Sequence, residues 1–120
     1  MTRSARKDGL SRRYCFVGRG SFTAALRSPR KIRGITTILH IAGGRAGKSR
    51  FGIAFAKRLV RRAVDRNRLR RLAREVFRHH RVKAAGFDLV LTPRKPLLRG
   101  DEAAWVVEVG ALLNRAGRDQ

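Results

Sequence analysis

The chain has 120 residues, of which 30 are Lys or Arg and 8 are Asp or Glu, so its formal net charge is +22 with the histidines neutral. That length fits one domain and leaves no room for a second catalytic one. A hydrophobic share of 42% supports a packed core, while the charge points to a polyanionic partner, either nucleic acid or an anionic membrane surface.

No apolar run approaches the roughly 18–20 residues of a bilayer span, and the N-terminal MTRSARKDGLSRR has no apolar middle region. The sequence therefore predicts a protein that is neither integral to a membrane nor exported. Cys15 is the only cysteine, which precludes an intrachain disulfide and a thiolate-rich zinc site and fits a reducing cytoplasm. Arg outnumbers Lys by 24 to 6. The planar guanidinium matches phosphate and stacks on bases, although a genome rich in G and C would give the same bias.

Residues 1–20 are basic, carry Gly9, Gly18 and Gly20 and show no sustained period, so they are expected to be a flexible segment. A single folded domain is expected over 21–115, followed by a short tail at 116–120. Ser21 can cap a short helix that starts at Phe22, places Phe22 and Leu26 on one face and ends before Pro29. The segment ITTILHIA over 35–42 alternates as a strand, with Thr36, Ile38 and His40 on one face and Ile35, Thr37, Leu39 and Ile41 on the other. The following GGRAGKS reads as a turn and RFGIAFA as a second strand, which together predict a hairpin.

From Val64 to Ala85 the period becomes helical. Leu69, Leu72, Ala73, Val76 and Phe77 share an apolar arc, opposed by Asn67, Arg70, Arg71, Arg74 and Arg78. Gly86 suits the end of this helix, and FDLVLT over 87–92, apolar on both faces, predicts an interior strand. Asp101 can cap a last helix through Arg115, with Trp105, Val106, Val109, Leu112 and Leu113 as its apolar stripe.

Three candidate chemistries need weighing. AGGRAGKS over 42–49 meets the looser form of a phosphate-binding loop, but such a loop must open a helix. Here Phe51, Ile53 and Phe55 alternate like a strand, so a basic turn and no nucleotide triphosphate is the expectation. His79 and His80 are adjacent, so their rings diverge by about 100° on a helix and cannot share a metal as an i, i+4 pair could. A metal-free nuclease using His40 with one of them finds no support in the spacing. The third candidate is the basic helix: positions 57–81 hold eleven Lys or Arg and two acids, a density that points to a nucleic-acid face.

The run AKRLVRRAVDRNRLRRLAREVFR, from Ala56 to Arg78, resembles the protein subunit of bacterial ribonuclease P. Ala63, Val64, Arg66, Asn67, Arg68, Leu69, Arg70, Arg71, Arg74, Glu75 and Phe77 stand where that family's motif asks for them. The Arg50-Phe51-Gly52 strand start and DLVLTPRK over 88–95 extend the resemblance along most of the chain.

The resemblance implies an α+β fold, a two-layer α/β sandwich of order αβββαβα with a left-handed strand–helix–strand crossover. It implies a non-catalytic subunit of an endoribonuclease that removes the 5′ leader of precursor tRNA, the catalytic centre and its Mg²⁺ lying in an RNA subunit. Lys57, Arg58, Arg61, Arg62, Arg66, Asn67, Arg68, Arg70, Arg71 and Arg74 would contact that RNA. On the helical wheel Arg66 points toward the edge of the apolar arc, so it could instead brace the backbone. Phe22, Leu26, Ile38 and His40 would line a cleft for the single-stranded leader, with Leu26 where Phe is frequent and His40 where Tyr is frequent. The rivals are a ribosomal protein or RNA chaperone of related fold, and a membrane-active cationic protein. The second needs a wide apolar helical face that here is committed to the core.

Overall fold

A computed structural model of the chain describes residues 25–43, 49–56, 58–97 and 100–118. Ala25 and Leu26 are helical where the description begins, and the chain leaves that turn before Pro29. The predicted helix start at Ser21 and Phe22, and the expectation for 1–20, lie outside the described residues.

Four strands follow the pattern of burial. They are β1 (Lys31–Arg33), β2 (Thr37–Gly43), β3 (Arg50–Ile53) and β4 (Phe87–Pro93), and the sheet order is β1-β2-β4-β3. β4 is antiparallel to β2 and parallel to β3. The predicted hairpin is thus corrected: β2 and β3 flank β4 and do not pair with each other. The reason lies in the faces. Asp88, Leu89, Val90 and Leu91 of β4 are all buried, which requires a neighbour on each edge and cover on each face. β3 buries only Phe51 and Ile53, and β1 only Ile32, so both tolerate the edge.

β2 begins two residues later than the alternation suggests. Gly34 N donates to Thr37 O at 2.8 Å, which bends the chain and leaves Ile35 75% exposed. Cross-strand pairing then aligns Ile32, Leu39, Leu91 and Ile53 in one row and Ile41, Leu89 and Phe51 in another. These rows form the face that meets the helices. The opposite face carries Lys31, His40, Val90 and Gly52, then Arg33, Ile38 and Thr92.

Helix α1 spans Ala63–Arg78 and α2 spans Glu102–Arg118, and both pack on one face of the sheet. α1 buries Leu69, Ala73 and Phe77, with Phe77 stacked on Phe51 at 4.8 Å between ring centroids. It stops seven residues short of the predicted Ala85. His80 is extended and its side chain accepts from Val82 N, starting a separate 3-10 turn, Arg81–Ala84; a side chain that competes for backbone donors breaks the helix there. That turn buries Val82 in the core, and Gly86, at φ +88°, supplies the left-handed residue that turns the chain into β4. α2 runs past the predicted end at Arg115, because Ala116 is fully buried; the boundary placed at 116 falls within this helix. Trp105, 1% exposed, anchors α2 through Nε1, which donates to Thr37 Oγ1 at 2.9 Å.

Candidate nucleic-acid interface

α1 presents the predicted basic arc. Asn67, Arg68 and Arg71 are exposed, while Arg66, Arg70 and Arg74 are half-buried. Arg58, Arg61 and Arg62 are exposed just before it, beside a helix N-terminus where Arg62 makes no side-chain cap. The helix macrodipole there adds positive potential to that of the arginines. Lys57 lies outside the described residues.

The arginines of α1 do not share one role. Arg66 turns back, its Nη1 donating to Val60 O at 2.9 Å and Arg61 O at 2.8 Å, so it braces the segment entering the helix. Arg68 pairs with Glu102 of α2 at 3.0 Å. Arg70 donates to Asn67 Oδ1 at 3.2 Å and lies over the Phe55 ring. Burial lowers the Arg70 pKa, helped by the charges of Arg74 and Arg66.

A second surface lies across the sheet. Adjacent residues of a strand face opposite ways, so with Leu39 and Ile41 in the core against α1 and α2, Ile38 and His40 occupy the face opposite those two helices. Leu26 is half-buried at the start of the described chain, and Phe22 lies outside it. His40 is 7% exposed; its Nε2 meets Thr92 Oγ1 at 2.7 Å, and Nδ1 has no hydrogen-bond partner among the described residues. Burial, and then the nearby Lys31 ammonium, lower its pKa, which favours the neutral ring.

Sequence reasoning missed two residues of this surface. Lys31 pairs across the strands with His40, and Arg33 with Ile38, so both cations stand beside the candidate cleft residues. The alternation of Lys31, Ile32 and Arg33 is the signal, but three residues are too few to separate from a loop. The face also holds Arg50 and Asp88, joined at 2.9 Å (Nε to Oδ1) and 2.7 Å (Nη2 to Oδ2). This pairing raises the Arg50 pKa and neutralises the carboxylate on a surface otherwise suited to phosphates.

The described members of the remaining candidates make contacts within the fold. Ser49, the last residue of AGGRAGKS, is fully buried: its hydroxyl donates to Val82 O at 2.6 Å and accepts from Gly86 N and Phe87 N at 3.0 Å each. Residues 44–48 lie outside the described chain. His79 contacts Glu75, and His80 contacts Asn114 of α2 at 2.6 Å. Among the described residues no group of three or more His, Cys, Asp or Glu could hold a metal ion, and no helix is long and apolar enough to cross a membrane.

Fold and surface together define a small α+β protein that carries an arginine-rich face on one helix and a mixed apolar and basic face on its sheet. A family model described as Ribonuclease P matches residues 10–117, and the chain belongs to that family as a ribonuclease P protein component. It is 37% identical over 99 residues to the ribonuclease P protein component of Nitrosomonas eutropha, covering 81% of this chain and 82% of that one. Identity to the counterpart from Stutzerimonas stutzeri is 31% over 112 residues, or 92% of this chain and 86% of that one. The fold matches the RNase P protein from Thermotoga maritima with a TM-score of 0.71 at 28% identity, across 83% of this chain and 94% of that one.

Proposed function

We propose that this chain holds RNA on two surfaces while the RNA subunit performs the cleavage. The basic arc of α1, with Asn67, Arg68, Arg70, Arg71 and Arg74, binds the catalytic RNA together with Lys57, Arg58, Arg61 and Arg62. The sheet face opposite α1 and α2, with His40 beside Lys31 and Ile38 beside Arg33, grips the single-stranded 5′ leader of precursor tRNA, with Phe22 and Leu26 as further members of the cleft. Arg66 keeps the entry to α1 in shape. The carrying observation is the concentration of arginines on one helix in the family's Arg-Asn-Arg pattern.

On this reading the protein contributes charge and position. Two polyanions repel, and each phosphate met by an Arg or Lys removes part of that repulsion and releases a counterion. Holding the leader fixes the substrate against the RNA's reactive centre. The Mg²⁺ of the reaction sits with the RNA subunit, and the protein lowers the concentration needed. The compartment is the cytoplasm, where tRNA is made.

The test compares precursor tRNA cleavage by protein alone, cognate RNA alone, and both at low Mg²⁺. Specific cleavage at one phosphodiester is expected with both together and none with protein alone. Site-specific cleavage by RNA-free protein, lost when His40, His79 and His80 are all replaced by Gln, would place the chemistry in this chain and overturn the proposal.

A further inference from the structure

Phe55 follows β3 and lies outside the arginine-rich motif of α1. It is half-buried, packed against the helix-side core, and the Arg70 guanidinium lies over its ring, Cζ 5.2 Å from the centroid. Asn67 Oδ1 holds Arg70 from one turn earlier in the same helix. Arg66 and Arg74 flank Arg70 by one turn on either side, and like charges at that spacing repel.

An arginine that meets a phosphate needs only reach and charge, and solvated arginines such as the exposed Arg71 supply both. Arg70 is arranged otherwise: its guanidinium is partly desolvated, backed by an aromatic ring and fixed by an amide oxygen, with two like charges nearby. A planar guanidinium stacks on π-systems. Backed by a ring on one side, it presents a fixed plane to a base on the other. We infer that Phe55 and Arg70 form a stacking platform for one unpaired nucleobase of the bound RNA, Arg70 making the contact and Phe55 positioning it. This rests on the reading of α1 as an RNA-binding surface. The base belongs either to the RNA subunit or to the leader, and the shared chemistry is a single-stranded base with an open π-face.

The experiment uses the full chain with three substitutions, Arg70→Lys, Phe55→Leu and Phe55→Tyr, each checked for parental melting. Binding is measured against the cognate RNA subunit over a salt series. It is measured again in the assembled holoenzyme against precursor tRNA with and without a leader. Arg70→Lys keeps the charge and loses the plane, so binding should weaken about tenfold with the slope of log Kd against log salt unchanged, as expected for a lost stack and not a lost phosphate contact. Phe55→Leu should behave alike, and Phe55→Tyr, which restores a ring, should bind like the parent.

A loss seen with the RNA subunit alone places the base there; a loss confined to leader-bearing substrate places it in the leader. Parental affinity of Arg70→Lys in both assays would overturn the platform, as would equal weakening by Phe55→Leu and a normally folded Phe55→Tyr. Those outcomes leave the reading of α1 intact. That reading fails separately if the parent chain neither binds the RNA nor stimulates its cleavage.

Discussion

The Glu108 carboxylate of α2 accepts from the Thr36 hydroxyl at 2.7 Å across 72 residues of sequence. Its other oxygen accepts from the backbone amides of Thr36 at 2.8 Å and Thr37 at 2.9 Å. One side chain thereby satisfies the donors of the bend between β1 and β2 and clamps the last helix to the sheet. Gly34 is required beside it, since a Cβ there would overlap Glu108 Oε2.

Glu108→Ala should cost roughly 1–3 kcal/mol, the penalty for leaving desolvated amides without an acceptor. Glu108→Gln, which keeps one acceptor oxygen, should cost less. Gly34→Ala should destabilise through steric overlap while every donor and acceptor remains. Urea denaturation of the three variants checks the order; unchanged midpoints for Glu108→Ala would mean the clamp contributes nothing.

Arg50 and Asp88 face each other on paired strands, and the Asp88 side chain is only 7% exposed. Asp88→Asn should destabilise the domain by roughly 1.5–3 kcal/mol, because Arg50 loses its charged partner and the charge-assisted hydrogen bonds between them. Adding Arg50→Leu should recover part of that loss. A double-mutant cycle in denaturant measures the coupling, and simple additivity would show that the pair is not an energetic unit.

Replacing Arg70, Arg71 and Arg74 by Ala should weaken RNA binding and flatten its salt dependence by about two units of slope, at roughly 0.7–0.9 per phosphate-neutralising charge. Their aliphatic stems are at most half-buried, so the fold should survive. Binding isotherms over a salt series test this. An unchanged slope would move the RNA contact away from this arc.

His40 should make stability sensitive to acid. Its folded pKa lies below the ordinary value of 6.5, so between the two values the unfolded chain binds the proton more readily than the folded one. Stability therefore rises with pH through that window and is lost as pH falls through it. Lys31 faces the ring from β1 and sharpens the effect, while Thr92 and Val90 face it from β4 and carry no charge. Melting temperatures from about pH 8 to about pH 5 should fall less steeply in His40→Gln than in the parent. Parallel curves for the two proteins would assign the acid sensitivity elsewhere.

Much of the helical layer was legible in the residues. The apolar arc Leu69, Leu72, Ala73, Val76 and Phe77 and the opposing arginines follow from a period of 3.6, which is a property of neighbouring residues. The interior position of Phe87–Pro93 was legible too, because a strand apolar on both faces must be covered on both. Family motifs added the expectation for Ile38 and His40. Strand alternation then set them on a common face.

Pairing was not legible. Alternation is the same whether β2 turns back onto β3 or leaves room for β4, because strand partners are chosen by contacts between distant segments. Only the assembled sheet inserts β4, and with it the Arg50–Asp88 pair and the Lys31–His40 neighbourhood. The end of α1 was decided in the same way: apolar periodicity continued to Ala85, but the His80 side chain captured the Val82 amide and Val82 was needed in the core. Likewise Phe55 looked like any alternating strand residue until α1, carried across the sheet, brought Arg70 over its ring. Composition and periodicity determined which residues carry charge and which are buried. Tertiary structure decided which charges stand together, since packing brings remote residues to distances that local sequence does not encode.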